Sequence, residues 1–308
     1  MSQPIASVDV PASSANLGSG FDCFAVALSL KLRAELFSGD EPGILLNAHG
    51  EGVPREDDDP DQNLLIRAFR EGLRCASGSE LGAGAWRIEV SSMIPAARGL
   101  GSSAAAIVAG LLLGASVGRR APEADDLLRV AATLEGHADN VAAALYGGIT
   151  LSVGHGESLV LRRFAVPESW IPVLFLPQLE SRTSDMRDAL PASIPHADAA
   201  AAAARAALLA TAVATGDASL LRAAMDDRLH QPYRLPRLPG TAELIETAYA
   251  HGAAGACLSG AGPSVLAICD SPAVAHSVEK AFNGSGLRGM ATRLRFDTAG
   301  ARLTAPSD

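Results

Sequence analysis

Residues 95–106 read Pro-Ala-Ala-Arg-Gly-Leu-Gly-Ser-Ser-Ala-Ala-Ala. Gly99 and Gly101 permit a tight turn and a close approach of backbone to a ligand. Ser102 and Ser103 are natural N-cap residues for an apolar helix predicted over 104–115. Backbone N–H groups and the positive end of the helix dipole would then converge on one point, an arrangement that suits a phosphate. A strand-to-helix turn without a ligand would carry the same residues, so the segment gains meaning only from its neighbours. A Walker loop is excluded, because no lysine follows the last glycine. Gly99-x-Gly101-x-x-Ala104 also fits the loose dinucleotide fingerprint, which must directly follow a strand. Here Pro95 and several non-strand residues intervene, and no strand ending in an acid follows about 20 residues later.

Outward from that loop, period-2 apolar alternation predicts strands over 5–10, 25–37, 44–48 and 86–90. Helical spacing predicts helices over 63–76 and 127–145, and Gly147-Gly148 separates the second from a strand over 149–153. The acidic, turn-rich stretch 51–62 reads as an exposed loop. A second unit begins near Leu159, with strands over 170–176, 256–269 (two strands about a glycine turn) and 291–296. Its helices are expected over 197–215, 218–228, 241–251 and 272–282, with a proline-punctuated loop over 231–240. Helices and strands mixed in two blocks argue an α+β fold of two domains, 1–158 and 159–308.

Three further segments concentrate polar and glycine residues. Pro11-Ala-Ser-Ser-Ala-Asn-Leu-Gly-Ser-Gly-Phe-Asp22 reads as a loop at a strand end, from which Asn16 and Asp22 could reach a ligand. Glu135-Gly-His-Ala-Asp-Asn140 falls within the predicted helix, which puts Glu135 and Asp139 four apart on one face. Like charges at that spacing repel unless a cation or ligand lies nearby, so Glu135 is a magnesium-ligand candidate; a solvated surface pair is the plainer alternative. Leu258-Ser-Gly-Ala-Gly-Pro-Ser264 is a second glycine turn, or simply a hairpin.

Composition narrows the classes. The 308 residues are 48% hydrophobic and 19% charged, as in ordinary globular proteins. A net charge of −9 leaves no whole-chain footprint for nucleic acid, and Lys31 and Lys280 are the only lysines. Cys23, Cys75, Cys257 and Cys269 form no C-x-x-C pair and no zinc spacing with histidine, so they read as reduced thiols. The N-terminus has neither the charged nor the apolar region of a signal peptide. The apolar run 104–117 falls short of the roughly 20 residues that span a bilayer, and the alanine tract 199–204 runs into Arg205. A cytoplasmic protein with no membrane partner is expected.

Taken together, the four segments resemble the GHMP small-molecule kinase superfamily and, within it, the homoserine kinase family. That family's first motif, P-A-S-S-A-N-L-G-x-G-F-D, is matched from Pro11 to Asp22; its phosphate loop, P-x-x-x-G-L-G-S-S-A-A, from Pro95 to Ala105; E-G-H-x-D-N from Glu135 to Asn140; and S-G-A-G-P-S from Ser259 to Ser264. Ala25 stands where a glycine is usual and Ala138 where a proline is common; both leave the polar groups in place. The resemblance implies an N-terminal domain like those of ribosomal proteins and a ferredoxin-like C-terminal domain, with the site between them. It implies ATP-dependent phosphorylation of L-homoserine in threonine biosynthesis, with Mg²⁺ and a homodimeric assembly. Asn63, Pro95, Arg98, Gly99, Leu100, Gly101, Ser102, Ser103 and Ala104 would bind ATP; Ser103 (or Ser102) and Glu135 would hold Mg²⁺. Asn16, Asp22, His137, Thr183, Arg187, Arg234 and Gly260 would bind substrate, with Asn16, Asp22 and Arg187 the most direct contributors to catalysis. Related sugar and mevalonate kinases place an aspartate base where this chain has Asn140, so no dedicated base is expected.

Overall fold

The computed structural model describes residues 3–51, 62–77 and 84–304. In chain order the first elements are β1 (Ala6–Ala15), β2 (Phe24–Ser38), β3 (Gly43–Gly50), α1 (Leu64–Ser77), β4 (Ala85–Ser92), α2 (Ser102–Ser116), α3 (Ala124–Glu135), α4 (Asp139–Tyr146), β5 (Ile149–Val153) and β6 (Val160–Phe164). They are followed by β7 (Ile171–Pro177), α5 (Thr183–Arg187), α6 (His196–Thr215), α7 (Leu221–Ala224), α8 (Gln231–Arg234), α9 (Thr241–Ala250), β8 (Gly255–Leu258), β9 (Val265–Cys269), α10 (Pro272–Asn283), β10 (Gly289–Arg293) and β11 (Arg302–Thr304).

Two sheets organise the chain. The first runs β11-β1-β2-β4-β3, and β2 is long enough to pair with β4 along its second half and with β5 along its first, β6 then adding to β5. The second is antiparallel in the order β10-β7-β9-β8, the 4-1-3-2 order of a ferredoxin-like βαββαβ unit. Its alternation assigns its faces: Val173, Phe175, Val265 and Ala267 pack with α9 and α10 residues, while Leu174, Leu266 and Ile268 join the larger core with Leu209 and Val213 of α6. The expected division at 158/159 is crossed by the first sheet, which recruits β6 and, from the far end of the chain, β11.

α2 is apolar on every side because every side is covered. It approaches α1 so closely that a Cβ at Gly114 would lie 2.0 Å from the Phe69 carbonyl oxygen, and one at Gly110 2.2 Å from that of Leu65. Glycine at these positions removes side-chain bulk where two backbones touch, and this seats α2 with its N-terminus at the end of β1.

Several elements differ from their sequence expectation. β1 does not stop at Pro11 but continues to Ala15 through a register shift between Pro11 and Ala12, an irregularity at which a residue without an N–H is tolerated. Much of the small-residue stretch read as a loop is therefore strand. The helix expected over 127–145 is two, because Gly136 adopts φ 90° and ends α3. Glu135 and Asp139 thus do not share a helical face; one closes α3 and the other opens α4. The helix expected over 218–228 shrinks to a 3₁₀ turn and α7, and the expected loop over 231–240 holds α8 and another 3₁₀ turn. The acidic stretch 52–61 lies outside the described residues.

Asp297 fastens the returning C-terminal segment to the first sheet. Its carboxylate accepts from the Ala299 and Gly300 N–H groups at 3.0 and 2.7 Å and from Lys31 Nζ at 2.5 Å. Burial alone would raise its pKa, but the bond to Lys31 and the two backbone donors outweigh it and hold the carboxyl below the ordinary aspartate value. Because the folded form binds this proton less readily than the unfolded chain, the stabilisation is complete above the ordinary aspartate pKa and lost as pH falls through the depressed one. Asp297→Asn should cost roughly 1.5–3 kcal/mol at pH 7 and make stability less steep in acid. Urea unfolding between pH 3 and 7 checks this; parallel curves for parent and variant would refute it.

Candidate active site

One cleft is lined by parts of all four glycine- and polar-rich segments together with α5 and α8. Its floor is a junction of three chain segments. The Ser259 hydroxyl, fully buried, donates to the Gly99 carbonyl at 2.7 Å and lies 2.8 Å from Ser14 Oγ. Gly260 N–H donates to the Ala15 carbonyl at 3.1 Å, and Asn16 Nδ2 donates back to the Gly260 carbonyl at 2.9 Å. Ser13 N–H donates to the Leu100 carbonyl at 3.1 Å, and its hydroxyl donates to Asn140 Oδ1 at 2.8 Å.

On one side of the cleft lies the start of α2. Gly101, at φ 65°, is the N-cap, and no side chain caps the helix. Ser102 and Ser103, expected as caps, instead occupy the first turn, so the first-turn N–H groups keep no side-chain acceptor. A side chain at 101 is sterically barred, since a Cβ there would sit 2.2 Å from Ser13 Oγ. The Ser103 hydroxyl donates to Glu135 Oε1 at 2.5 Å, joining the first turn of α2 to the end of α3. Burial raises the Glu135 carboxyl pKa, against the lowering effects of Ser103 and nearby His137. His137 Nδ1 lies 2.7 Å from Asp139 Oδ1. Burial would lower the His137 pKa; the Asp139 bond and charge, aided by Glu135 and Asp22, outweigh it and raise the pKa.

On the other side lie the arginines. Arg187, at the end of α5, forms a two-pronged pair with Asp22, Nη1 to Oδ2 at 3.0 Å and Nη2 to Oδ1 at 2.8 Å. Arg234 is 2% exposed, yet among the described residues no carboxylate lies within ion-pairing distance of it. Burial first, and then the charge of Arg187, bring its pKa down to about 10. Both guanidinium carbons lie over the Phe21 ring, Arg234 at 5.3 Å and Arg187 at 5.7 Å. Among the described residues, the non-glycine residues with positive φ, Asn16 (72°), Leu17 (47°), Asp22 (56°) and Ala97 (52°), all fall in the two loops that frame the cleft. Backbone held in that sparsely populated region needs its surroundings to fix it, and it concentrates at ligand sites.

Thirteen of the residues singled out from sequence line the cleft: Asn16, Asp22, Gly99, Leu100, Gly101, Ser102, Ser103, Glu135, His137, Thr183, Arg187, Arg234 and Gly260. Four do not. Asn63 is buried as the cap of α1, its Oδ1 accepting from Leu65 and Ile66 N–H at 3.0 and 3.2 Å. Arg98 turns to the second sheet, its guanidinium donating to the carbonyls of Pro177 (2.9 Å) and Gln178 (3.1 Å). Pro95 precedes the turn, and Ala104 is buried under it. Asp139, Asn140 and Ala97 line the cleft without having been chosen. A carboxylate and an amide inside an already suspect motif were the available signal for the first two.

Comparison with known proteins places this geometry. The N-terminal domain model of the GHMP kinases matches residues 63–148, and their C-terminal domain model matches 197–286. A homoserine kinase from Moorella thermoacetica is 40% identical over 91% of this chain and 94% of its own length. One from Streptomyces avermitilis is 40% identical over 96% of this chain and 94% of its own. The crystal structure of homoserine kinase from Cytophaga hutchinsonii superposes with a TM-score of 0.87 at 27% identity, covering 99% of both chains.

Ser259→Ala would leave the Gly99 carbonyl and the Ser14 hydroxyl short of a buried partner, so a loss of roughly 1–3 kcal/mol is expected. Urea unfolding reads it directly. An unshifted midpoint would mean that the floor of the cleft does not depend on this hydroxyl.

Proposed function

This chain belongs to the homoserine kinases of the GHMP kinase family, and from that premise we propose that it transfers the γ-phosphate of ATP to the side-chain hydroxyl of L-homoserine, yielding O-phospho-L-homoserine. The observation that carries the assignment is the pairing, across one cleft, of an uncapped helix N-terminus with a carboxylate and two guanidinium groups. The N–H groups at the start of α2 take the phosphates, as the unpartnered donors and the helix dipole favour. Asp22 takes the ammonium, and Arg187 and Arg234 take the carboxylate, a task for which planar forks are suited. Asn16, His137, Thr183 and Gly260 complete the substrate pocket.

Magnesium fits the donor set at Ser103 and Glu135, since hydroxyl and carboxylate oxygens are the hard ligands it takes alongside phosphates and water. Bound there, it would neutralise charge on the nucleotide phosphates. No residue is assigned as base. Each carboxylate lining the cleft already has a partner: Asp22 with Arg187, Glu135 with Ser103, Asp139 with His137. Phosphoryl transfer tolerates this, because its transition state is loose and catalysis rests on positioning and charge stabilisation.

We further place the reaction in threonine biosynthesis, in the cytoplasm, by a homodimer that acts without nucleic acid or membrane. α6 is long and apolar enough to cross a bilayer by length and composition alone. Its Arg205 pairs with Asp226 at 2.5 Å, however, and its Leu209 and Val213 are buried in the protein core.

Coupled ADP release with Mg-ATP should show strong turnover on L-homoserine and little on L-serine, L-threonine, mevalonate or galactose. A preference for another alcohol would discard the amino-acid pocket while keeping the phosphate site. Arg234→Ala should weaken homoserine binding by roughly 2–5 kcal/mol; half-exposed Arg187→Ala should weaken it less. Glu135→Gln should lower turnover and raise the Mg²⁺ requirement, and wild-type behaviour would remove Glu135 from the metal site.

A further inference from the structure

Arg234 is a buried cation that lacks a carboxylate, so its position depends on neutral acceptors. Its Nε donates to the Met186 carbonyl at 3.3 Å, and its Nη1 faces the Gly260 carbonyl at 3.4 Å and His230 Nδ1 at 3.1 Å. For Nδ1 to accept from a guanidinium, the imidazole must be neutral and carry its proton on Nε2. Nε2 faces the Gly18 carbonyl at 2.9 Å, an acceptor that needs that proton. Both ring nitrogens are therefore engaged in one tautomer. Burial is the main reason the His230 pKa lies below the ordinary imidazole value, and adjacent Arg234 reinforces it against the opposing charge of Asp227.

The backbone beneath the ring is fixed as well. Asp227 accepts from the N–H groups of Leu229 (2.8 Å), His230 (2.9 Å) and Gln231 (2.6 Å), which locks the turn entering α8. Phe21 stacks on the ring at 5.2 Å with an interplanar angle of 23°. Gly18 and Phe21 belong to the loop between β1 and β2, the loop that carries Asn16 and Asp22.

We propose that His230 is a positioning residue: as an Nε2–H imidazole it aims Arg234 at the substrate carboxylate and ties it to the loop that presents Asp22, so that the partners of carboxylate and ammonium sit at one spacing. The proposal rests on the reading of Arg234 as a carboxylate grip. Asp227 holds the turn that carries the ring, and its Oδ2 also lies 3.4 Å from Nε2.

Two substitutions separate the two nitrogens. His230→Asn can present an oxygen near the place of Nδ1, and His230→Gln can present an N–H near the place of Nε2. His230→Gln, which loses the acceptor for Arg234, should raise the homoserine KM roughly tenfold, as expected for one lost charge-assisted hydrogen bond, with the ATP KM within about twofold of the parent. His230→Asn should recover most of that loss. Equal homoserine KM values in parent and both variants would overturn the proposal, and so would parallel rises in both KM values with a matching fall in melting temperature. In a crystal structure of His230→Gln the Arg234 guanidinium should have left the Met186 and Gly260 carbonyls; an unmoved guanidinium overturns the positioning role. If the parent fails to phosphorylate homoserine, the proposed function falls, and that guanidinium position still decides this inference. Nitrogen NMR of the unaltered chain between pH 5 and 8 should show a neutral His230 ring protonated on Nε2; a charged ring or the other tautomer refutes the assignment even if neither variant folds.

Discussion

The contact between the Ser259 hydroxyl, which is fully buried, and the Gly99 carbonyl, at 2.7 Å, sets the geometry on which the site depends. It joins a turn of the second sheet to the loop that begins α2, while Gly260 and Asn16 close the same joint from the end of β1. The joint is tight enough to dictate sequence: a Cβ at Gly99 would lie 2.0 Å from the Ser259 carbonyl oxygen. The proposed phosphate grip belongs to the first sheet and its helices, whereas Arg234 belongs to the second unit. Their separation is therefore set by this joint. In-line phosphoryl transfer is sensitive to displacements of about 1 Å, so a rigid joint at the floor of the cleft is a catalytic requirement as well as a structural one.

Around that joint an acidic chain sets two arginines beside three carboxylates, Asp22, Glu135 and Asp139, in one cleft. The net charge of −9 says nothing against anion binding, because burial makes a few well-placed charges outweigh many solvated ones. Arg187, Arg234 and the first turn of α2 face one cleft, and each nearby carboxylate is matched to a donor. The amide oxygen of Asn140 is already used by the Ser13 hydroxyl at 2.8 Å. The site is thus built to hold charges at fixed points, and an amide at 140 offers no base there.

Most of this was legible in the sequence because backbone constraints leave residue-type marks. Glycines at 99 and 101, the small residues of 11–16 and the glycine turn at 260–262 each mark a place where backbones touch, and the structure brings them together. What escaped were features whose marks have a common innocent meaning. Gly136 sits in a helical pattern that tolerates one glycine, so the break between α3 and α4, and with it the separation of Glu135 from Asp139, was not visible. Pro11 reads as a strand end, yet a register shift absorbs it. Asp227 looked like the tail of a helix, and His230 fell between that helix and the loop expected over 231–240. The role of His230 depends on partners nearly 50 and over 200 residues away, Met186 through Arg234 and Gly18 through the imidazole. Local periodicity carries no information at that range.

The paired state of Asp22 and Arg187 bears on how such a site discriminates. The two charges neutralise each other at 2.8 and 3.0 Å, so the half-open cleft is not left with bare ions. A zwitterion can divide the pair at little electrostatic cost, because its ammonium replaces the guanidinium on Asp22 and its carboxylate replaces Asp22 on Arg187. A ligand with a carboxylate alone would free Arg187 from its partner and leave Asp22 uncompensated, and a neutral sugar would satisfy neither. Unpaired charge in a partly desolvated site costs several-fold more than a lost apolar contact. Under the proposed assignment, selectivity for an amino-acid alcohol over mevalonate-like acids and sugars therefore comes less from added attraction than from charges the wrong ligand would strand.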